Sequence, residues 1–127
     1  MMARLTLILE AYLRLVTHDV FMKRHDFAAL HLRVKSFPLR DAKNGPDVKE
    51  TIAASLDIAS CFYPKQVLCL QRSTVLVKML RARGIRAHMV IGAQKLPFKA
   101  HAWVEVDGKI VNDRLASREK FLVLEVC

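Results

Sequence analysis

Glycine, proline and cysteine are all scarce in this chain of 127 residues, which has four glycines, four prolines and three cysteines. The shortage of glycine and proline excludes collagen-like and linker-dominated chains. The cysteines Cys61, Cys69 and Cys127 are odd in number and include no CxxC pair, so the chain is not a dense disulfide scaffold. A reducing compartment with at least one free thiol fits this pattern best, and we therefore expect a cytoplasmic protein.

Long uninterrupted hydrophobic runs are also missing. The apolar stretch near the beginning of the sequence, residues 5–16, is broken by Glu10 and Arg14 and is too short to span a bilayer. No small-residue cleavage site follows it, so we expect no targeting segment. A helix that packs against the rest of the protein is the favoured interpretation, and a helix on a membrane surface is the alternative.

Acidic residues are few, since 12 Asp and Glu are set against 21 Lys and Arg and leave a net charge of +9. Such a surface attracts acidic partners, whether nucleic acid, anionic lipid or an acidic peptide, and net charge alone does not choose among them. The basic residues are spread along the chain without an interleaved aromatic platform. We therefore expect no nucleic-acid partner.

Helical periodicity dominates the first two thirds of the sequence. Residues 3–17 form a predicted helix, and 18–35 continue with less regular spacing. We assign the packing face of the first helix to Leu5, Leu9, Tyr12, Leu13 and Val16. After a break rich in turn residues, Asp47 caps a predicted helix that runs to about residue 62 and packs through Ile52, Ser55, Leu56 and Ala59. The last predicted helix begins between Val67 and Cys69, runs to Arg83 and ends at the C-cap residue Gly84.

After Gly84 the pattern changes to alternation, which is typical of strands and places His101 and Trp103 on one face and Ala102, Val104 and Val106 on the other. The predicted strands cover residues 85–92, 100–106, 109–113 and 121–126, and Asp107-Gly108 is a strong hairpin turn. Helices followed by an antiparallel sheet indicate an α+β protein. We interpret residues 1–127 as one domain, with a mainly helical portion at 1–62 and the last helix and the sheet at 63–127.

Three residues have the side chains that a thiol peptidase needs. Cys69 lies at a predicted helix start, where the helix dipole favours a thiolate nucleophile. His101 lies early in a strand, and Asp113 ends the strand predicted to pair with it. Regular pairing places position 114 opposite His101, so a twist or a small bulge would be needed to bring the Asp113 carboxylate to the imidazole. Together they supply a nucleophile, a base and a group that orients the base.

The segment from Cys69 to Asp113 resembles the core of the transglutaminase-like B proteins of lasso-peptide biosynthesis, in their stand-alone B2 form. The shared pattern is Cys-Leu-x-Arg-Ser at a helix start, Leu-Arg-x-x-Gly-Ile at its end and Val-Ile-Gly in a strand. Pro-Phe-x-Ala-His-Ala-Trp-Val-Glu, Asp-Gly and Asn-Asp follow. The resemblance covers about a third of the chain densely, and the preceding stretch matches only in its helical character.

This resemblance implies a papain/transglutaminase-like fold and a cysteine peptidase that removes the leader from a ribosomal precursor peptide. Cys69 is then the nucleophile, His101 the base and Asp113 the orienting residue. It also implies two further proteins: a separate leader-binding protein, B1, that delivers the precursor, and an ATP-dependent cyclase that closes the freed core. The pattern of the residues before Cys69 predicts helices and not a winged helix. We therefore expect the leader-binding domain to be on another chain.

Other candidate residues have weaker signals. The Gln66 side chain is a candidate donor to the oxyanion, together with the Cys69 backbone N–H, although a solvated loop glutamine is the commoner case. Trp103 is a candidate wall of the substrate groove, and we favour a core position for it. The remaining histidines lack metal-ligand spacing and no phosphate-binding glycine loop is present, so we expect neither metal nor nucleotide.

Two other functions fit the residues. A Cys-His-Asp set also serves acyl transfer, because the group that attacks the acyl-enzyme decides the product. The same set would also serve a peptidase of a different modified-peptide pathway. A basic binding module without enzymatic activity would use the positive charge alone. Loss of activity on thiol alkylation supports the enzymatic functions, whereas salt-dependent nucleic-acid binding that is unaffected by Cys69→Ala supports the module.

Overall fold

The computed structural model describes residues 2–39, 48–94, 99–111 and 121–127. Within these residues the chain forms four α-helices and then a four-stranded antiparallel sheet. The helices are α1 (Met2–Arg24), α2 (Phe27–Ser36), α3 (Val48–Cys61) and α4 (Cys69–Ala82), and the strands are β1 (Ala87–Gln94), β2 (Lys99–Val106), β3 (Lys109–Ile110) and β4 (Leu122–Val126). This arrangement confirms the predicted α+β class.

The long helical stretch at the beginning of the chain is divided at Asp26. Its carboxylate accepts a hydrogen bond from the Ala29 N–H at 3.0 Å and caps the N-terminus of α2. Asp47, the predicted cap of α3, lies outside the described residues. The predicted packing face of α3 is confirmed, because the following side chains are buried: Ile52, Ser55, Leu56 and Ala59.

Helix α4 lies at the centre of the molecule, in contact with α1, α2, α3, β1 and β2. It ends in a Schellman motif, in which the Ile85 N–H donates to the Leu80 carbonyl (3.0 Å) and the Gly84 N–H donates to the Arg81 carbonyl (3.1 Å). Gly84 has a φ of 79°, a left-handed conformation that glycine adopts without a steric penalty. The predicted end of this helix is therefore confirmed.

The predicted packing face of α1 is wrong. Leu5, Leu9 and Leu13 are exposed, whereas Leu7 and Leu15, together with Ala11 between them, face the core and pack with α3 and α4. Apolar residues lie on both sides of this helix, so its own periodicity does not decide which side is buried. The small side chain of Ala11, which is fully buried, allows a close approach of the neighbouring helices on the inner side.

The sheet has the strand order β3-β2-β1-β4. The hairpin between β2 and β3 pairs Val106 with Lys109 across Asp107 and Gly108, which have φ angles of 52° and 76°. Two successive positive φ values are typical of a type I′ turn and confirm the predicted hairpin. Of the predicted return strand, residues 112 and 113 lie outside the described part of the chain.

The two faces of the sheet have different neighbours. Met89 and Val104, which are paired in the β1–β2 ladder, belong to the large core that α4 shares. Val90 and Trp103, the next pair of the same ladder, belong to a second and smaller hydrophobic cluster. Because successive side chains of a strand point to opposite faces, α4 covers one face and this smaller cluster lies on the other.

Candidate functional site

Cys69 is the first residue of α4. The preceding residue, Leu68, has an extended backbone and makes no side-chain cap, and the Arg72 N–H donates to the Leu68 carbonyl at 3.0 Å. The backbone N–H groups before Arg72 in the first turn have no partner within the helix, and that turn contains no acidic residue. Their positive field favours negative charge on a group at this position.

The three cysteines have different surroundings. The Cys69 thiol is half-buried, Cys61 is exposed, and Cys127 is buried. Burial raises the pKa of the Cys127 thiol, which makes it a poor nucleophile at neutral pH. Of the three, Cys69 alone combines a helix start with partial access to solvent.

Two contacts align α4 with the sheet. Near the end of the helix, the Arg81 Nε donates to the Ala87 carbonyl at 2.9 Å, and further back the Thr74 hydroxyl contacts the Met89 sulfur at 3.5 Å. The helix therefore runs antiparallel to β1 and parallel to β2. Cys69 lies five residues before Thr74, which is about 7.5 Å along the helix axis. Because α4 is antiparallel to β1, its start lies towards the end of the sheet that carries His101.

The ring of His101 lies in an aromatic group on the sheet face opposite α4. It stacks on Phe121 with ring centroids 5.7 Å apart and lies 6.1 Å from the Trp103 ring, and Trp103 and Phe121 are 5.8 Å apart. His101 and Trp103 alternate with Ala102 and Val104, as predicted. Helix α4 contacts β2, so the structure brings together the elements that carry Cys69 and His101. The His101 ring itself lies on the face away from α4, and an approach of the Cys69 sulfur to the imidazole belongs to the proposal below.

Trp103 is fully buried, and its indole Nε1 donates a hydrogen bond to the Glu105 carboxylate at 2.8 Å. Glu105 is also buried, so this bond satisfies a carboxylate oxygen that would otherwise lose its hydration. Alternation along β2 puts these two residues on one face, but no sequence pattern predicts the bond between them. This burial agrees with the favoured core position of Trp103, and its role in a substrate groove stays an untested candidate.

The structure says less about the other two predicted site residues, Gln66 and Asp113. Gln66 lies in the loop that joins α3 to α4, and its side chain is exposed; its role as an oxyanion donor stays a prediction. Asp113, the predicted orienting residue, lies outside the described residues.

A polar cluster that the sequence analysis missed holds this loop against α1. Asp19 accepts a short hydrogen bond from the Tyr63 hydroxyl and forms an ion pair with Lys65 at 2.7 Å. Burial opposes ionisation of Asp19, but the bonds from Lys65 and Tyr63 outweigh it and hold the pKa of this carboxyl below its usual range. Burial and the same carboxylate raise the pKa of Tyr63 to about 12. No local signal predicts contacts between residues 44 positions apart.

Neither a metal centre nor a membrane span is found in the parts of the chain that the structure describes. There, no three residues of the types His, Cys, Asp or Glu are grouped so that they could hold a metal ion. None of the described helices combines the length and the apolar character needed to cross a membrane.

Comparison with known proteins agrees with the fold. The profile of the transglutaminase-like superfamily matches residues 12–126. Over 56 residues the chain is 45% identical to the microcin J25-processing protein McjB of Escherichia coli. The matched segment covers 44% of this chain but only 27% of that relative, and no solved structure matches. A match over nearly the whole chain, together with helices that pack on a small antiparallel sheet, shows that this protein belongs to the transglutaminase-like superfamily.

Proposed function

We propose that this protein is a cysteine peptidase that removes the leader from the precursor of a lasso peptide. The observation that carries the proposal is the place of Cys69, half-buried at the uncapped start of α4, the helix that packs against the strand that carries His101. The 45% identity to a protein named for the processing of microcin J25 supports a precursor peptide as the substrate class.

The reaction begins when the His101 imidazole takes the proton of the Cys69 thiol. The sulfur then attacks the scissile carbonyl and forms a tetrahedral oxyanion, for which the Cys69 backbone N–H and the Gln66 amide are the candidate donors. When the intermediate collapses, the carbon–nitrogen bond breaks and the imidazolium protonates the amine of the leaving core. The leader remains as a thioester on Cys69, and water that has lost a proton to His101 hydrolyses it.

Asp113 acts on the imidazole rather than on the substrate. A carboxylate bonded to one ring nitrogen fixes the tautomer and stabilises the imidazolium that forms during the attack. In the pathway that we propose, a separate B1 protein delivers the leader, and a cyclase uses the freed core. We place these steps in the cytoplasm, where the free cysteines stay reduced.

Acyl transfer is the second candidate function, because a thioester on Cys69 can react with an amine as well as with water. The first half of the reaction is the same. In transfer, an amine instead of water attacks the thioester, so the product is a new amide and not a free carboxylate.

Mass spectrometry of a precursor peptide from the same gene neighbourhood tests the proposal. The peptide is incubated with this protein and the neighbouring leader-binding protein, using wild type, Cys69→Ala and the exposed-thiol control Cys61→Ala. We expect one cleavage, with a free leader carboxylate, for wild type and Cys61→Ala and none for Cys69→Ala. Cleavage by Cys69→Ala contradicts the mechanism, and an amide-linked product favours transfer.

A further inference from the structure

Helix α1 carries a second apolar face on the side away from the core. We call this face the outer stripe, and its exposed residues are Leu5 (58%), Leu9 (58%), Leu13 (65%), Val16 (38%) and Val20 (53%). Exposed aliphatic residues are common when they are scattered singly, but five along one helix form a contiguous patch, which marks an interaction surface.

The outer stripe lies opposite the buried face of the same helix. At 100° per residue, the stripe centres about 160° from the direction of the buried residues Leu7, Ala11 and Leu15. From Leu5 to Val20 it extends for about 22 Å along the axis, which is four turns. A helix that is apolar on two opposite sides is normally covered on both of them.

The C-terminal half of the stripe opens into a cavity of about 430 Å³. Val16, Val20 and Lys23 line it from α1, and Tyr63 and Lys65 line it from the loop before α4. A cavity of this size accepts an apolar anchor side chain from a partner. The stripe and the cavity together make a surface suited to an amphipathic helix.

The charges around this surface select the kind of partner. The acidic residues of α1 are engaged: Glu10 pairs with Arg83 at 2.8 Å, and Asp19 pairs with Lys65 at 2.7 Å. At the C-terminal end of the stripe, Lys23 and Arg24 form no ion pair within the described residues. This end of the border is therefore positive, in a chain whose net charge is +9. A second copy would add the same charge, whereas an acidic partner would neutralise it.

We propose that the outer stripe and its cavity bind an amphipathic helix of another protein, whose apolar face is bordered by Asp and Glu residues. The cavity is formed partly by Tyr63 and Lys65, so a protein docked there contacts the loop that leads to Cys69. Identifying this partner with the leader-binding protein that delivers the precursor rests on the proposed function.

Calorimetry measures the binding of the full chain to the leader-binding protein from the same gene neighbourhood. The chain carries Cys69→Ala, which prevents turnover. Leu13→Glu places a negative charge at the centre of the stripe, and Leu124→Glu on β4, where the leucine is similarly exposed, is the matched control. We expect Leu13→Glu to weaken binding by about tenfold or more and Leu124→Glu by less than about twofold. Lys23→Glu should weaken it and reduce its salt dependence.

Equal binding by Leu13→Glu and the control overturns the proposal, as does the absence of binding by the parent protein. Circular dichroism melting first establishes that the variants fold, which we expect because both leucines are exposed. Sedimentation of the chain alone tests whether a second copy covers the outer stripe. Flotation with anionic phosphatidylglycerol vesicles tests whether a membrane covers it. Dimerisation or vesicle binding that Leu13→Glu abolishes would assign the stripe to a second copy or to a membrane, and would contradict the proposal.

Cleavage is scored separately from binding, with Cys69 intact. If the parent binds through the stripe but no precursor is cleaved, the docking surface stands and the proposed function fails. If the Leu13→Glu protein cleaves at the parent's rate at every concentration of the leader-binding protein, the docking proposal fails and the peptidase stands.

Discussion

Gly92 pairs with His101 across β1 and β2. A Cβ atom built on Gly92 would lie 2.8 Å from the Phe121 Cβ and 2.9 Å from the Trp103 Cη2 atom. The missing side chain therefore gives the two aromatic residues room to meet over β1, and the His101 ring stacks on one of them. A glycine in the neighbouring strand thus helps to set the position of the proposed base.

Gly92→Ala should destabilise the protein and displace the aromatic group. Forcing a methyl group into a filled space costs about 1–3 kcal/mol, which corresponds to a fall in Tm of about 4–12 °C for a chain of this size. Differential scanning calorimetry measures the change. Gly108→Asn is the control, because nothing lies within 4 Å of a Cβ there and asparagine tolerates positive φ. An unchanged Tm for Gly92→Ala would contradict the close packing.

His101→Gln should reduce the rate constant of leader removal by about 10²–10⁴-fold, because glutamine keeps much of the size of the ring but cannot accept the thiol proton. Single-turnover cleavage assays measure the loss, and His88→Gln, at an exposed histidine of β1, should remain active. Activity of His101→Gln near that of wild type would exclude this residue as the base.

Asp113→Asn should lose as much activity as His101→Gln or somewhat less, because an orienting carboxylate acts only through the imidazole. In the double variant with His101→Gln, the second change should therefore have almost no additional effect on kcat. A full multiplicative loss in the double variant would show that Asp113 acts independently of the base.

Trp103→Phe distinguishes a core residue from a wall of the substrate groove. Phenylalanine cannot donate to Glu105, and the loss of a partner by a buried carboxylate costs about 1–3 kcal/mol of stability. Because Trp103 is fully buried, we expect a lower Tm with an unchanged KM. Glu105→Gln keeps a carbonyl acceptor and should cost less. A raised KM without loss of stability would instead place the indole in the groove.

Residues with local signals were predicted well. Leu80, Gly84 and Ile85 show why the end of α4 could be read from the sequence: a glycine directly after the last turn is sufficient for its capping motif. Asp107 and Gly108 form their turn for similarly local reasons. Cys69 begins its helix where the change from loop to helical periodicity predicted.

The packing face of α1 depends on information that a single helix does not contain. Leu5, Leu9 and Leu13 have the right spacing for a core face, and so do Leu7 and Leu15 on the other side. Only contacts with α3 and α4 decide between the two faces. The sequence pattern therefore detected apolar surface correctly but assigned it to the wrong side.

The geometry of the candidate site is also a long-range property. Alternation predicted that His101 and Trp103 share a sheet face. The stacking of the imidazole on Phe121, by contrast, depends on a strand that follows 20 residues later in the chain. The anchoring of the loop before Cys69 by Asp19 likewise joins residues far apart in sequence. Residue identities indicated the chemistry, and tertiary contacts determine where each group lies.

Glu10→Gln should destabilise the protein at neutral pH and have little effect in acid. Burial opposes ionisation of Glu10, but its bonds to Arg83, at 2.8 and 3.1 Å, and its attraction to Arg14 outweigh it and lower the pKa of the carboxyl. A lowered pKa in the folded state means that this contribution is complete above the usual value of about 4.3 and is lost as the pH falls through the folded value.

Urea unfolding at pH 7 and pH 3 measures the contribution of this ion pair. Because the pair is partly exposed, we expect wild type to be more stable than Glu10→Gln by about 0.5–1 kcal/mol at pH 7, with the difference much reduced at pH 3. Glu50→Gln, at an exposed glutamate of α3, should change stability little at either pH. A difference between wild type and Glu10→Gln that is the same at both pH values would mean that glutamate stabilises this contact through its shape and not through its charge.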